Sequence, residues 1–175
     1  MDDIKFNMYR VAGDIANLTL DKAKDLCHKK YKASYICMFC DTIMSEKLNQ
    51  SYKKLSKGIA LPTCLSINNI VGHRTYTEKD DYQIKEGDIV KIELACHIDN
   101  NVATVGDTIR VKDDEWDESD LMVAAKKALE IGLKFINPDT DIYLFQTSST
   151  FSKYYNADKK KVKKILEKVK ASFDQ

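Results

Sequence analysis

Residues 87–98 read GDIVKIELACHI, a pattern typical of a β-strand that follows a turn. Gly87 and Asp88 are turn residues, and the ten residues after them are rich in β-branched and aliphatic side chains, which favours a strand over residues 89–98. Residues 99–101, Asp-Asn-Asn, are typical of a tight turn. A return strand is predicted over residues 102–111, so we expect an antiparallel hairpin near the middle of the chain.

Two helices are predicted before this hairpin. Apolar residues recur at a helical spacing over residues 8–29 and again over residues 34–56, where Gly58 is expected to stop the second helix. The apolar stripe of the second helix is expected to include Phe39 and Leu55. Two short extended pieces are predicted within residues 60–67, and the pair Asn-Asn at residues 68–69 is typical of a turn. The chain is therefore helical first and extended afterwards.

The part of the chain after the hairpin is predicted to be helical again. Ser119 and Asp120 are good N-cap residues for a helix over residues 121–135, and residues 140–155 are ambiguous, with a helix favoured. A basic amphipathic helix is predicted over residues 158–175. Helices, a hairpin and more helices in this order predict an α+β fold, with one domain over residues 1–157 and the basic helix as an appendage.

Composition and charge exclude several classes of protein. The chain has 175 residues, 43% of them hydrophobic, which is sufficient for a core and excludes wholesale disorder. No apolar run approaches the roughly 20 residues of a membrane span, and the acidic N-terminus does not resemble a secretory signal. An odd number of cysteines, five, fits reduced thiols in a cytosolic or nuclear protein.

The charged residues are segregated although the net charge is only +1. Residues 22–57 contain nine lysines and three acids, and residues 158–170 contain seven lysines and two acids. Between them, residues 78–120 contain fourteen acids and five bases. Two basic surfaces around an acidic centre favour binding of a polyanion such as RNA, and the alternative is that these are solvated helix faces.

The pattern Cys37-Met38-Phe39-Cys40 is a C-x-x-C motif within a predicted helix. A zinc site needs a second pair of ligands, which the sequence does not offer nearby, and a thioredoxin-like site is expected at a helix start after a strand. We therefore predict that these cysteines are buried structural thiols.

A set of ordered motifs over more than thirty positions resembles a known family. The motifs are IALPT at 59–63, SINN at 66–69, His73 and GDIVKI at 87–92. They resemble the methionine-aminopeptidase-like family, which has the pita-bread fold. The string YRVAGDIAN at 9–17 is most similar to the non-catalytic branch, which contains the proliferation-associated ErbB-receptor-binding proteins and ribosome export factors. The resemblance covers roughly residues 8–138 and implies the N-terminal half of a pita-bread fold.

The same resemblance indicates which residues would form a catalytic site. In the active enzymes the hairpin supplies two aspartates to a pair of divalent metal ions that activate water, and a second half supplies the other ligands. The matched positions are Glu93, which keeps a carboxylate, and Thr104, whose neutral hydroxyl is a poor metal ligand. His73 matches a substrate-polarising histidine, and we expect a packing or turn role for it. Alternation along a strand points Asp107 to the opposite face.

These positions imply a chain that is not an enzyme. We expect no catalytic residues, no metal site, no cofactor and no small-molecule substrate, because one ligand position is degenerate and the second half is expected to be absent. Two alternatives stay open. The chain is half of a split or degenerate metal-dependent methionine aminopeptidase, or it is a protein-binding adaptor in signalling or transcription.

Two lysine clusters are the candidates for a binding surface. The predicted ribosomal-RNA-binding residues are Lys53, Lys54, Lys57, Lys159, Lys160, Lys161, Lys163 and Lys164. Each cluster can neutralise several phosphates, and Tyr52, Tyr154 and Tyr155 can stack on exposed bases. By resemblance, the predicted partner is the large ribosomal subunit, its RNA and proteins, near the polypeptide tunnel exit. The predicted location is the cytoplasm and also the nucleus or nucleolus.

Overall fold

The computed structural model of the protein describes residues 3–112 and 120–134. The chain divides into two compact units, residues 1–117 and 118–175. The first unit contains helices α1 (Asp3–His28) and α2 (Ala33–Gln50) and strands β1 (Lys57–Ile67), β2 (Ile89–Ile98) and β3 (Asn101–Arg110), and the second contains helix α3 (Asp120–Lys134). The predicted helices at 140–155 and 158–175, and the predicted boundary at residue 157, lie outside the described residues.

The predicted hairpin is confirmed. Strand β2 covers the predicted residues, and the three strands form one antiparallel sheet in the order β1-β2-β3. Asp99 and Asn100 have φ angles of 48° and 61°, which a two-residue type I′ turn requires, so β3 begins at Asn101, one residue earlier than predicted. The predicted helix over residues 121–135 is also found, one residue earlier, as α3.

Strand β1 is one strand with irregularities, whereas two short pieces were expected. Its register against β2 shifts between Ile59 and Leu61 and again between Leu61 and Cys64, around Pro62. Proline has no N–H and is tolerated at such irregularities. The carboxylate of Asp41 on α2 accepts hydrogen bonds from the backbone N–H and the hydroxyl of Thr63, at 2.8 and 2.7 Å. The helix therefore supplies a hydrogen-bond acceptor for a backbone N–H in the irregular part of β1.

The end of α2 differs from the prediction. The helix ends at Gln50, because Ser51 is extended and Tyr52 has a φ of 38°. Gly58, which was expected to stop the helix, lies within β1. A Cβ at that position would lie 3.3 Å from Nε2 of His97, so glycine allows the close approach of β1 to β2. At the other end of the helical region, α1 begins five residues before the predicted start at Met8.

The core lies between one face of the sheet and helices α1 and α2. Every second residue of β2 points into it; the fully buried ones are Val90, Ile92, Leu94, Cys96 and Ile98. Helix α2 contributes Ile36, Cys37, Cys40 and Met44, whereas Phe39, which was expected to be in the buried stripe, does not pack against this core. All five cysteines are free and buried, which confirms the prediction for the C-x-x-C motif. No helix in the described ranges is both long and apolar enough to cross a membrane.

Helix α2 is capped by a residue from a distant part of the chain. Its N-cap residue Lys32 makes no side-chain cap, but Asp81 accepts hydrogen bonds from the backbone N–H and the hydroxyl of Ser34, at 2.9 and 2.8 Å. Burial raises the pKa of Asp81, but these bonds, a third from the N–H of Tyr82 and the charge of Lys32 outweigh it, so the pKa is lowered. The ionised carboxylate therefore stabilises the folded state.

Replacement of Asp81 by alanine is expected to lower the free energy of unfolding by about 1 kcal/mol at pH 7, the usual magnitude for a helix cap. Because the folded-state pKa is lowered, the contribution of Asp81 is present above its unfolded pKa of about 3.9 and is lost as the pH falls through the folded value. Urea unfolding of both proteins between pH 7 and pH 3 measures this. A difference that persists at low pH would contradict the role of the charge.

Candidate functional site

The face of the sheet that points away from α1 and α2 holds the residues matched to the aminopeptidase site. Glu93 lies in the middle of β2, paired with Cys64 on β1 and with Gly106 on β3. Thr104 lies two residues from Gly106 along β3, so its side chain points to the same face as that of Glu93. The register therefore brings together the two positions that the resemblance assigns to metal ligands.

The carboxylate of Glu93 is held by the loop that carries His73. The backbone N–H of His73 donates a hydrogen bond to Oε2 of Glu93 at 2.9 Å, and the ring Nδ1 lies 3.5 Å from the same oxygen. His73 has a φ of 57°, and its side chain is 76% exposed. The backbone of His73 is thus in the left-handed region, and the packing or turn role expected for this residue stays a prediction. Its contact with Glu93 was not predicted.

The groups around Glu93 do not suit a pair of divalent metal ions. Thr104 offers a neutral hydroxyl, and the pKa of Cys64 is raised by burial and by the negative charge of Glu93, so this thiol stays protonated. Within residues 3–112 and 120–134, no three His, Cys, Asp or Glu side chains are grouped closely enough to hold a metal ion. One carboxylate, one exposed imidazole, one hydroxyl and one protonated thiol are a weak ligand set for hard divalent cations, which prefer several oxygen ligands.

Asp107 lies on the opposite face of the sheet, as strand alternation predicted. It is paired with Ile92, which points into the core, and its Oδ2 lies 2.7 Å from Nζ of Lys24 on α1. Its Oδ1 accepts a hydrogen bond from the backbone N–H of Thr108 at 2.8 Å. Asp107 therefore ties α1 to β3 and does not replace a ligand at position 104.

The first predicted lysine cluster lies at the turn between α2 and β1, and not on a helix. Lys53 and Lys54 are exposed, whereas Lys57 lies in β1 and its Nζ donates a hydrogen bond to the backbone carbonyl of Tyr52 at 3.1 Å. Tyr52 packs against the core, so its ring is only partly available for stacking on a base. The second cluster, Lys159 to Lys164, and residues Tyr154 and Tyr155 lie outside the described residues.

Three aromatic side chains that were missed in the sequence stack on one another, one just before α2 and two in its first turns. This aromatic ladder consists of Tyr31, Tyr35 and Phe39, with ring centroids 5.2 and 5.7 Å apart and interplanar angles of 25° and 20°. Tyr31 and Tyr35 are exposed. The spacing of Tyr35 and Phe39 is a usable signal, because side chains four residues apart are neighbours on one helix face. It was missed because Phe39 was assigned to the buried stripe. Tyr31 precedes α2, so its stacking on Tyr35 does not follow from helical spacing.

Comparison with known proteins gives the family of the chain. Residues 7–158 match the sequence profile of metallopeptidase family M24. The chain belongs to that family. Among its M24 relatives is ERBB-3 binding protein 1 of Arabidopsis thaliana, 34% identical over 143 residues, which are 77% of this chain and 36% of that protein. Proliferation-associated protein A of Dictyostelium discoideum is 35% identical over 138 residues, 74% of this chain and 36% of the relative.

Other relatives confirm the fold, and some of them are named as enzymes. The solved structure of a thermophilic Arx1 is similar with a TM-score of 0.59 and 30% identity, over 69% of this chain and 33% of that one. Together with the two N-terminal helices and the three-stranded sheet, this match confirms half of a pita-bread fold. The methionine aminopeptidase of Pyrococcus abyssi is 35% identical over 99 residues, 57% of this chain and 32% of that protein. The chain thus spans about a third of the length of these relatives.

Proposed function

We propose that this chain is a non-catalytic member of family M24 that associates with the large ribosomal subunit near the polypeptide tunnel exit. The proposal that the chain is non-catalytic rests on the residue at position 104, which the resemblance assigns to a metal ligand. Thr104 provides a hydroxyl where the active enzymes need a carboxylate, and the neighbouring carboxylate of Glu93 is bonded to His73. A split aminopeptidase would need Asp at position 104, so this alternative is disfavoured.

The proposal of ribosome binding is supported by the resemblance to the branch that contains ribosome export factors and by two surface features. Lys53 and Lys54 are exposed at one turn and can pair with phosphates. Tyr31, at the end of the aromatic ladder, presents an exposed ring on which an unpaired RNA base can stack. Cations and exposed aromatic rings are the usual elements of binding to unpaired RNA. Here the two features lie at opposite ends of α2.

Charge reversal at the lysine turn tests the proposal. The double variant Lys53→Glu/Lys54→Glu is expected to reduce the fraction of protein that sediments with the large subunit about tenfold, because two phosphate contacts become repulsive. The control is Lys5→Glu/Lys79→Glu, which makes the same change in net charge at two other exposed lysines. The measurement is sucrose-gradient sedimentation of the tagged full chain at two salt concentrations, with and without RNase.

Each outcome of this experiment has a clear meaning. Salt-sensitive sedimentation of the wild type and the control, with loss in the Lys53/Lys54 variant, supports the proposal. Equal loss in both variants would show that only net charge matters and would contradict a specific surface. Wild-type protein that stays at the top of the gradient at low salt would overturn ribosome binding and would favour the adaptor alternative.

A further inference from the structure

Strand β3 lies at the edge of the sheet. It pairs with β2 on one side, and no strand in the described part of the chain pairs with its other side. It is ten residues long and contains neither proline nor lysine, residues with which proteins commonly protect a sheet edge. Its only acid, Asp107, is paired with Lys24 on the helix side of the sheet. Among the described residues, the edge is therefore open and uncharged along most of its length.

The hairpin geometry determines which backbone groups point outward. In a two-residue hairpin the flanking residues, here Ile98 and Asn101, exchange backbone hydrogen bonds, and bonded pairs then alternate along the ladder. The N–H and C=O groups of Val102, Thr104 and Gly106 consequently point away from β2. All three residues are exposed. The next outward N–H, at Thr108, is bonded to the side chain of Asp107, so the open edge ends there.

We propose that this edge pairs antiparallel with the same edge of a second copy of the chain, on a two-fold axis at Thr104. In this register the backbone of Val102 in each copy exchanges hydrogen bonds with that of Gly106 in the other copy. The backbone of Thr104 does so with Thr104 of the other copy. All three outward-pointing residues of both copies find partners in it, because residues 102, 104 and 106 are symmetric about position 104. The result is a continuous six-stranded sheet.

The side chains along β3 are complementary in this register. Val102, which is 41% exposed, faces Gly106, which has no side chain, and Thr104 faces Thr104, a favourable cross-strand pair. On the helix side, Ala103 faces Val105, a small residue against a larger one. No like charges lie opposite each other between residues 101 and 107, since Asp107 faces Asn101. A second copy therefore fits this edge in a way that an arbitrary strand does not.

Cross-linking at the two-fold axis tests the register. Opposite residues of a bonded pair have Cα atoms about 5.5 Å apart, so Thr104→Cys is expected to be joined to its equivalent by a methanethiosulfonate cross-linker with a one-carbon spacer. The control is Val102→Cys, on the same face. In the proposed register residue 102 of one copy lies opposite residue 106 of the other, so the two introduced cysteines would be about 14 Å apart and would not be cross-linked. The native cysteines are all buried, so the added thiol is the one that reacts.

Charge at the axis tests the dimer without cross-linking. Thr104→Lys is expected to weaken self-association about tenfold in sedimentation velocity, because two ammonium groups lie opposite each other. Thr42→Lys, the same substitution at an exposed site on α2, is expected to leave it unchanged. Circular dichroism checks that both variants are folded. A wild type that is monomeric at all concentrations, or a dimer that cross-links equally at residues 102 and 104, would overturn the proposal.

Discussion

Replacement of Asp88 by alanine is expected to lower the free energy of unfolding by about 3 kcal/mol, a large effect for one carboxylate. Asp88 is 7% exposed and accepts hydrogen bonds from the Asn68 side chain at 2.9 Å, the Tyr82 hydroxyl at 3.1 Å and the Lys85 backbone N–H at 2.9 Å. Alanine would remove the acceptor that these three partly buried hydrogen bonds share. The donors come from the turn after β1 and from the segment just before Asp88, so their loss would loosen the entry into β2.

The hydroxyl of Tyr82 remains a donor in the folded protein. Burial raises the pKa of Tyr82, and the hydrogen bond to Asp88 raises it further, so the phenol stays protonated at neutral pH. Asp88→Asn keeps one carbonyl oxygen as an acceptor and is therefore expected to lose less stability than the alanine variant. Chemical denaturation of the three proteins at pH 7 measures this order.

Glu86→Ala is the matched control for Asp88. Glu86 is two residues away, 61% exposed, and its carboxylate lies 3.6 Å from Nζ of Lys30. An exposed pair of this kind contributes about 0.5 kcal/mol or less. Equal losses in the Asp88 and Glu86 variants would contradict the role of the buried carboxylate and would indicate a general effect of charge in this loop.

The hairpin could be predicted from the sequence because its determinants are local. Residues 89–98 carry the strand pattern, and Asp99 and Asn100 tolerate the left-handed backbone that a type I′ turn needs. The end of α2 could not be predicted in the same way. Leu55 continues the apolar spacing of the helix, but it reaches the core from a turn after Ser51. Periodicity does not distinguish these two routes to a buried position.

The candidate site was predictable where alternation governs it and unpredictable where loops govern it. Strand alternation is sufficient to place Thr104 and Asp107 on opposite faces of the sheet. Glu93 shares the face of Thr104 because the two-residue turn sets the register of β2 against β3, and the predicted three-residue turn did not give that register. The contact between Glu93 and His73 depends on where the loop after β1 folds back, which is a long-range property. The cap on α2 from Asp81 is a similar case, because 47 residues separate Ser34 from its partner.

The native thiols are expected to react with a disulfide reagent at pH 8 about a thousandfold more slowly than the same thiols in the unfolded chain. Burial, and then the neighbouring Cys37 and Asp41, raise the pKa of Cys40 to about 12, and burial raises that of Cys96 to about 11. A thiol with a pKa near 12 is a thiolate in only about one molecule in ten thousand at pH 8, against about a quarter for an ordinary cysteine.

Met38→Cys is the control for this measurement, because residue 38 lies between Cys37 and Cys40 but is 60% exposed. Its rate is expected to level off above pH 8.5, whereas the rate of the native thiols continues to rise about tenfold per pH unit to pH 10. A native thiol of the C-x-x-C motif that reacts as fast as Cys at position 38 would contradict a structural role. It would then indicate that α2 opens readily, and a redox function of the motif would again be the better interpretation.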